Sequence, residues 1–285
     1  MAIKIGLAGA GHQAVGVHAA ALSAAKDADF AAVWAPRVEA ARGLAERHGA
    51  TAYQHFDDML DQVDAVVFAV PPAVQPDLAG IAAARGKAVL LEIPVAADIA
   101  GAEELSETIQ TAGVVSQVAL FWRYASEVRR FLTTSAPRTR PQGGSARLAS
   151  SALAPGSGAS PWRVEMGVLR TLGPHLLDML DAALGSVGEV RAHADPGGWV
   201  GLNLEHEEGR FSEVSMNATD KVDVPRADIE IYGSSGSASI ECEAAARLDA
   251  TEIMYDEFVA AAAAGSPHPL DVQRGLYLQR ISEEA

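Results

Sequence analysis

The chain has very little cysteine and few basic residues, and both shortages restrict its function. Cys242 is the single cysteine among 285 residues, so neither a disulfide within the chain nor a thiolate metal cluster can form. The chain has 22 Lys and Arg residues and 37 Asp and Glu residues, which gives a formal net charge of -15. Because this charge repels polyanions and the arginines form no basic stripe, nucleic acid is not an expected partner.

Long apolar runs are also missing. Glycine, proline or a charged residue interrupts each apolar stretch before it reaches the roughly 18 residues that a membrane-spanning helix needs. No secretory signal pattern precedes the first strand, which begins near Ile3. We therefore expect a soluble, cytoplasmic protein with no membrane partner.

The apolar pattern divides the chain into two expected domains. Residues 1–120 alternate short apolar strands with Ala-rich helical segments, which predicts an α/β domain with a parallel sheet. Residues 121–285 are typical of an α+β domain, because strands dominate from Gly143 onward apart from one helical stretch around His175. The alternating polarity of these strands predicts a mainly antiparallel sheet with one covered face.

A glycine-rich turn lies directly after the first predicted strand. The strand from Ile3 to Ala8 runs into Gly9-Ala10-Gly11-His12-Gln13-Ala14, and an Ala-rich helix follows to about Ala25. A strand, a glycine turn and a helix N-terminus together present backbone N–H groups to a pyrophosphate, which predicts a Rossmann domain that binds a dinucleotide. The expected cofactor contacts in this turn are Gly9, Gly11, His12, Gln13 and Ala14. For His12 the alternative is an exposed loop side chain.

The end of the second predicted strand, Phe30 to Trp34, indicates which nucleotide is preferred. An acidic residue at this place would bond the ribose hydroxyls of NAD, but the chain has Ala35-Pro36-Arg37 instead. Because a guanidinium can pair with a 2'-phosphate, the residues favour NADP(H) over NAD(H). The alternative is that Arg37 is a solvated loop charge.

Two further buried strands end at the same expected edge of the sheet. The run from Asp64 to Val70 stops at Pro71 and Pro72, and the run from Lys87 to Leu91 stops at Glu92. Ligands of parallel sheets lie at the carboxyl ends of the strands, so Pro71 and Pro72 are predicted to lie beside the cofactor. A carboxylate at the end of a buried strand needs a partner, so one interpretation of Glu92 is a satisfied structural acid.

The other strand predictions fall mostly in the second half. Residues from Thr133 to Ser160 are rich in Ser, Gly, Pro and Arg, and we interpret them as the domain crossing plus a mobile loop, with a strand from Ala146 to Leu153. The remaining predicted strands are Val114 to Leu120, Val187 to Ala194, Val200 to His206, Arg210 to Asn217, Ala227 to Tyr232 and Ala238 to Glu243.

A series of short motifs is distributed along nearly the whole chain. The motifs are Gly9-Ala10-Gly11 followed by His18, Pro71-Pro72, Glu92-Ile93-Pro94-Val95, Arg123-Tyr124, Pro161-Trp162-Arg163, Gly173-Pro174-His175, and the tail from Glu257-Phe258 through Pro267-His268-Pro269-Leu270-Asp271. Their order and spacing resemble the Gfo/Idh/MocA family, the glucose-fructose oxidoreductase and inositol dehydrogenase group. The resemblance implies a Rossmann domain, a second domain with a large open sheet, and a cleft that holds a substrate against the nicotinamide. It also implies a homodimer or homotetramer formed through the open sheet face.

The resemblance further implies roles for individual residues. His175 is expected to be catalytic, because an imidazole exchanges protons near neutral pH as hydride moves. Glu92 is expected to contact the cofactor. The residues expected to bind the small-molecule substrate, a sugar or a related carbonyl or imine compound, are Arg123, Tyr124, Trp162 and Arg163. Trp162 and Arg163 are expected in a loop that closes over the substrate, and Trp162 is equally consistent with a core aromatic residue.

Two positions depart from the family pattern. Members typically carry Glu-Lys-Pro after the strand that ends at Leu91 and an Asp four residues before the catalytic His, whereas this chain has Ile93 and Thr171. None of the four lysines is an obvious substitute by position. Three interpretations stay open: a working reductase in which Arg123 or Arg163 supplies the positive charge, a nucleotide-binding sensor or partner subunit without efficient turnover, or an oligomeric scaffold.

The remaining histidines and acids near these motifs receive no catalytic role. His18 is expected to pack under the glycine turn. Asp178 and Asp181 fit a solvated helix face, although Asp178, three residues after His175, is an alternative partner for its imidazole. No metal is expected, because the histidines lack metal-ligand spacing. The histidines considered are His18, His48, His55, His206 and His268.

Overall fold

The computed structural model describes residues 2–195 and 197–285, and the chain divides into two compact units. The first unit contains the chain up to Ala119 together with Thr251–Tyr277. The second unit contains Leu120–Ala250 together with Leu278–Ala285. The sequence predicted one continuous second domain over residues 121–285, whereas the structure groups Thr251–Tyr277 with the first unit.

Each unit is built around one six-stranded sheet. The strands are β1 (Ile3–Ala8), β2 (Ala28–Trp34), β3 (Thr51–Tyr53), β4 (Ala65–Phe68), β5 (Ala88–Leu91), β6 (Ser116–Val118), β7 (Pro141–Ala149), β8 (Val187–Ala194), β9 (Val200–His206), β10 (Arg210–Asn217), β11 (Arg226–Gly233) and β12 (Gly236–Glu241). The first sheet has the order β3-β2-β1-β4-β5-β6 and the second has the order β12-β11-β7-β10-β9-β8.

Helices connect most of these strands. The helices are α1 (Ala19–Ala24), α2 (Val38–His48), α3 (Phe56–Leu60), α4 (Gln75–Ala84), α5 (Ile99–Ala112), α6 (Phe121–Tyr124), α7 (Ser126–Arg130), α8 (Ala136–Arg138), α9 (Pro161–Thr171), α10 (Gly173–Leu184), α11 (Cys242–Ala264) and α12 (Val272–Glu284). Wider π-helical turns precede α1 at Ala14–His18 and precede α8 at Phe131–Ser135. Helix α2 has the predicted bounds and ends at Gly49, whose φ of 72° suits a glycine after the last turn.

All strand pairs of the first sheet are parallel. Every residue of β4 and of β5 is buried, which explains why these strands are continuous apolar runs without alternation. The strand order is that of a doubly wound dinucleotide-binding fold, and the order reverses between β1 and β4. The predicted Rossmann domain and the α/β fold class are therefore confirmed.

The second sheet is mixed and mostly antiparallel. Strands β7 and β10 pair in parallel, while the other neighbours run antiparallel. In β10 the side chains of Val214 and Met216 are buried and those of Phe211 and Glu213 are exposed. Helix α10 packs on the buried face, where a Cβ at Gly144 would lie 3.3 Å from Leu184 Cδ1. The predicted sheet with one covered face is present.

Several predicted elements of the second half are wrong. The strand expected at Ala146 to Leu153 is β7, Pro141–Ala149, and helical residues occupy part of the stretch interpreted as a loop. The two long helices α11 and α12 were not predicted. The apolar residues of α11 show no single stripe, because alanine surrounds the helix on all sides, so its 3.6-residue period is hidden.

Among the helices of residues 2–195 and 197–285, none combines the length and the apolar character that crossing a lipid bilayer demands.

Candidate functional site

The turn after β1 holds a glycine that no other residue can replace. Gly9 donates its backbone N–H to Trp34 O at 2.7 Å, and Ala69 after β4 donates its N–H to Ala8 O at 2.8 Å. These bonds draw the carboxyl ends of β1, β2 and β4 together. A Cβ on Gly9 would lie 2.3 Å from Ala69 O, and the φ of +125° is itself unfavourable for a side chain. The tight turn predicted at Gly9 is thus imposed by the neighbouring strand.

The second glycine of the turn faces open space. A Cβ on Gly11 would have no heavy atom within 4 Å, and both Gly11 and His12 are exposed. The helical residues begin at His12 and continue through the π turn into α1, so the first backbone N–H groups have no partner within the helix. Ala14 is fully buried, as a small residue between helix and sheet should be. A diphosphate therefore fits beside Gly11 at the point where the strand order reverses.

The other predicted nucleotide contacts in the first unit lie at carboxyl ends of strands. Gln13 is half-buried in the first helical turn after Gly11. Arg37 is exposed and directly precedes α2, after the end of β2. Pro71 is exposed after β4, and its carbonyl oxygen accepts the N–H of Gln75 at 3.2 Å, whereas Pro72 is buried. Their contacts with a nucleotide stay a prediction.

Glu92 follows β5 and is tied to His18. The Nε2 atom of His18 lies 2.6 Å from Glu92 Oε1, and its Nδ1 atom lies 2.5 Å from the hydroxyl of Tyr255. His18 and Tyr255 are completely buried, while 13% of the Glu92 side chain is exposed. Glu92 is therefore a partnered acid that keeps access to solvent, so both interpretations of this residue remain compatible with its geometry.

Sequence reasoning missed the residue that fixes the backbone around Glu92. The side-chain amide of Gln75, fully buried at the start of α4, donates to Glu92 O at 3.0 Å and to Val95 O at 2.9 Å. Its Oε1 accepts the N–H of Glu92 at 2.9 Å. The only local sign of these three hydrogen bonds in the sequence is a glutamine between Pro71 and Pro76. The segment after β5 is held in one conformation by these bonds.

Ile93 and Thr171, the two positions that the sequence analysis singled out, serve packing and backbone bonding. Ile93 is buried, with 6% exposed, and a Cβ on Gly275 of α12 would lie 3.7 Å from its Cδ1 atom. Thr171 is buried and donates its hydroxyl to Gly167 O at 2.6 Å. Both residues therefore have a role in the local packing of their own unit.

The second unit brings His175 together with Trp122. His175 lies in the first turn of α10, which begins at Gly173 as the sequence predicted, and it is half-buried. Its ring centroid is 5.2 Å from that of Trp122, with an angle of 44° between the planes. The imidazole thus retains an exposed edge beside an aromatic wall.

Arg123 forms an ion pair with Asp178 in the same unit. The Nη1 atom of Arg123 lies 2.9 Å from Asp178 Oδ1, and the side chains are 23% and 1% exposed. The prediction that Asp178 lies on a solvated helix face is wrong, because the carboxylate turns inward to the guanidinium. The pairing of Asp178 with the His175 imidazole, which the sequence offered as an alternative, stays a prediction.

The other predicted substrate-binding residues occupy two different environments. Tyr124 is fully buried, and Arg129 Cζ lies 5.7 Å from its ring centroid, so its contact with a substrate stays a prediction. Trp162 and Arg163 lie in α9, so the loop expected at this place is wrong. Trp162 is half-exposed, which disfavours the core interpretation, and Arg163 Cζ lies 5.2 Å from its ring centroid.

Glu243, which sequence reasoning also missed, contacts this cluster. It lies half-buried at the start of α11, and its carboxyl group accepts a hydrogen bond from Trp122. Burial raises the pKa of Glu243, the neighbouring Glu241 raises it further, and Arg247 and the bond from Trp122 lower it. Glu243 thus helps to hold the Trp122 ring against His175. The surroundings of Glu243 disfavour its ionised form.

We predict that Glu243→Gln stabilises the fold at neutral pH. A carboxyl group whose pKa is raised on folding contributes its stability below the unfolded value of about 4.3, and the contribution is lost as the pH rises. Glutamine keeps the acceptor for Trp122 and removes the buried charge. Urea unfolding at several pH values should therefore show a gain in free energy of unfolding that shrinks as the pH falls toward about 4.

The matched control is Glu104→Gln on the exposed face of α5, which should give the same small difference at every pH. A Glu243→Gln protein that is less stable than the natural chain at neutral pH would contradict the assigned environment.

Clusters of metal-binding type are absent from the part of the chain that the structure describes: no group of three or more His, Cys, Asp or Glu side chains is placed to hold an ion.

The first unit matches a known family of enzymes. Residues 3–120 match the model described as the oxidoreductase family with the NAD-binding Rossmann fold, GFO_IDH_MocA. Glucose-6-phosphate 3-dehydrogenase of Bacillus subtilis (strain 168) is 29% identical over 125 residues. This alignment covers 44% of the chain and 35% of that relative, so it spans about a third of the relative's length.

Solved structures of low sequence identity share the fold over nearly the whole chain. GenD2 from gentamicin A biosynthesis, in complex with NAD, is 20% identical with a TM-score of 0.85, covering 99% of this chain and 93% of that one. UDP-N-acetylglucosamine 3-dehydrogenase GnnA from Acidithiobacillus ferrooxidans is 20% identical with a TM-score of 0.86, covering 99% and 96%. Residues 3–120 of the chain are thus similar to the NAD-binding Rossmann domain of the GFO_IDH_MocA oxidoreductase family, and nearly the whole chain shares the fold of these solved structures.

Proposed function

We propose that this protein is an NAD(P)-dependent oxidoreductase that transfers hydride between the nicotinamide and a carbon of a sugar-like substrate or a related carbonyl or imine compound. The observation that carries the proposal is the glycine turn at the reversal of strand order, where Gly9 is sterically required and Gly11 leaves open space. A fold that needed only a tight turn would require the first glycine and not the second.

The chain supplies the groups that such a reaction needs. The backbone N–H groups after Gly11 bind the diphosphate. The nicotinamide, when bound, accepts the hydride in oxidation and returns it in reduction. In oxidation, His175 takes the hydroxyl proton while the C–H electron pair leaves as hydride, and in reduction the imidazole returns that proton to the oxygen. Arg123 or Arg163 supplies positive charge near the oxygen, in place of the lysine that the family resemblance leads us to expect.

The names of the relatives support a sugar hydroxyl as the reacting group. The curated relative is a dehydrogenase of glucose-6-phosphate, and GnnA is a dehydrogenase of UDP-N-acetylglucosamine. The half-exposed Trp162 is a surface on which a pyranose face can pack. We therefore assign the substrate to the class of sugars and sugar derivatives.

Incubation of the protein with NAD⁺ or NADP⁺ and a panel of sugars, sugar phosphates and nucleotide sugars tests the proposal. The absorbance of reduced nicotinamide should rise with at least one sugar. If no sugar is oxidised and no keto-sugar or imine is reduced by NADH or NADPH, the proposed turnover is wrong. The protein would then be a nucleotide binder without this activity.

We infer that NADP(H) is preferred over NAD(H). Arg37 is exposed at the start of α2, and no carboxylate stands at positions 35 to 37 to repel a 2'-phosphate. A charge-assisted bond between guanidinium and phosphate favours the phosphorylated nucleotide. Tighter binding of NADH than of NADPH would contradict this role of Arg37.

We also infer a homodimer or homotetramer formed through the exposed face of the second sheet. Phe211 of β10 and Tyr232 of β11 both lie opposite Gly143 of β7, so their rings share this face. They are 58% and 45% exposed and lie on either side of Gly143, so the two aromatic rings leave apolar surface open on this face. A second copy of the chain would cover them.

Sedimentation velocity at micromolar concentration should therefore report a dimer or tetramer, and Phe211→Glu should shift it toward monomer. The control is Val224→Glu, which changes an equally exposed apolar residue in a loop outside the sheet and should leave the assembly unchanged. A monomer at every concentration would contradict the inference.

A further inference from the structure

The buried chain of hydrogen bonds through His18 is not used by the proposed chemistry. His18 lies in the helical segment that follows Gly11, and it joins two groups that are far apart in sequence. On one side its Nδ1 atom meets the hydroxyl of Tyr255, and on the other its Nε2 atom meets Oε1 of Glu92. Both His18 and Tyr255 have no exposed surface. The partly exposed Glu92 carboxylate is therefore bonded to the buried His18, which is bonded in turn to the buried Tyr255.

The direction of these hydrogen bonds follows from the groups themselves. The Glu92 carboxylate can only accept, so His18 Nε2–H donates to it. A buried hydroxyl must place its hydrogen on an acceptor, and for Tyr255 that acceptor is His18 Nδ1. Burial and the proximity of Glu92 raise the pKa of Tyr255 well above its usual value, so it remains a phenol that can donate. The chain thus runs from Tyr255 through His18 to Glu92.

The backbone of Glu92 is fixed as well as its side chain. Gln75 bonds the N–H and the carbonyl of Glu92 at 2.9 Å and 3.0 Å. With the backbone clamped and Oε1 held by His18, the carboxylate has one orientation. Its exposed fraction of 13% leaves an accepting edge open at the carboxyl end of β5.

The place of Glu92 in the sheet indicates which part of a dinucleotide it faces. In this strand order the adenosine half lies on the β2 side of the glycine turn, and the nicotinamide half lies on the side of β4 and β5. Glu92 directly follows β5. An oriented carboxylate at this point accepts from donors, and the nicotinamide riboside offers ribose hydroxyls and the carboxamide N–H groups.

We propose that His18 and Tyr255 are positioning residues that hold the Glu92 carboxylate as a fixed acceptor for the nicotinamide riboside half of the cofactor. This inference rests on the proposed function, since it needs a nicotinamide nucleotide at the glycine turn. Tyr255 on α11, His18 and Glu92 form a hydrogen-bonded relay, and this relay would determine the affinity for the nicotinamide half of the nucleotide.

Substitution of His18 in two ways tests the relay. Glutamine carries one acceptor and one donor on its terminal amide, so His18→Gln can accept from Tyr255 and donate to Glu92. Leucine fills similar space and does neither. Calorimetric titration should give NADH and NADPH affinities within about twofold of the natural protein for His18→Gln and a loss of roughly tenfold for His18→Leu.

A second set of variants covers the case in which His18→Leu fails to fold. Tyr255→Phe removes one hydroxyl and should weaken NADH and NADPH binding by about three- to tenfold. Tyr53→Phe on the edge strand β3 removes a hydroxyl outside the relay and is the matched control. Because Tyr255 acts through Glu92, Tyr255→Phe should have little further effect in a Glu92→Gln background.

Titration with ADP separates positioning from a merely structural role. ADP carries the diphosphate and lacks the nicotinamide riboside, so its affinity should be the same in all these variants. If ADP and the whole nucleotides weaken equally, His18 only supports the glycine turn and the inference is overturned. It is also overturned if His18→Leu and Tyr255→Phe bind NADH and NADPH as the natural protein does, or if His18→Gln loses as much as His18→Leu. A natural protein that binds no nucleotide would instead refute the proposed function.

Discussion

Replacing His175 with alanine should lower turnover by roughly 10²–10⁴-fold, the usual contribution of a general acid or base. The imidazole lies half-exposed in the first turn of α10 against Trp122, and it is the group that we assign to proton exchange with the substrate. The affinity for NADH or NADPH should not change, because the glycine turn belongs to the other unit. Steady-state turnover and a calorimetric titration on the same preparation measure both quantities.

The control for this variant is His193→Ala, which removes an exposed imidazole on β8 and should leave turnover at the natural level. If His175→Ala keeps the natural rate, the proton-transfer role is wrong. Arg123 and Arg163 would then be the next candidates in the second unit for contact with the reacting oxygen.

Gly11→Val should weaken nucleotide binding by roughly a hundredfold or more, which corresponds to about 2.7 kcal/mol of lost binding free energy. Nothing lies within 4 Å of the position of a Cβ at Gly11, and its backbone conformation is open to other residues, so the fold tolerates the change. The same space is where a diphosphate has to approach the backbone. The free energy of unfolding should therefore stay within about 0.5 kcal/mol of the natural value.

Gly9→Ala and Gly43→Val complete this comparison. Gly9→Ala should destabilise the fold by about 2–4 kcal/mol, because the added Cβ meets Ala69 O and the positive φ is strained. Gly43 on α2 also has open space around it, so Gly43→Val should leave nucleotide affinity unchanged. Unaltered nucleotide affinity in Gly11→Val would mean that the ligand does not pass this turn.

Much of the fold could be predicted because short stretches of sequence determine where many of its helices and strands begin and end. Helix α2 and strands β8, β9 and β10 have the bounds that the sequence indicated, since caps and alternating polarity mark their ends. Strand β3 was missed because Thr51–Tyr53 is too short to show a period. Helix α11 was missed because an Ala-rich helix without an apolar stripe carries no periodic signal.

The candidate site was predictable only where a motif is contiguous. The glycine turn and the start of α10 at Gly173 are local features, and the structure has both at the indicated residues. The pairing of Tyr255 with His18 joins residues that are 237 apart in sequence, and the pairing of Asp178 with Arg123 joins residues 55 apart. Such contacts are determined by tertiary packing, so no spacing rule could find them.

Calorimetric titration of the natural protein with NADPH and NADH is the most direct test of the claim that the amides after Gly11 bind a nicotinamide dinucleotide. The account predicts saturable binding of one nucleotide per chain, with NADPH tighter than NADH, and its loss in Gly11→Val. Folded protein that binds neither nucleotide would contradict the account.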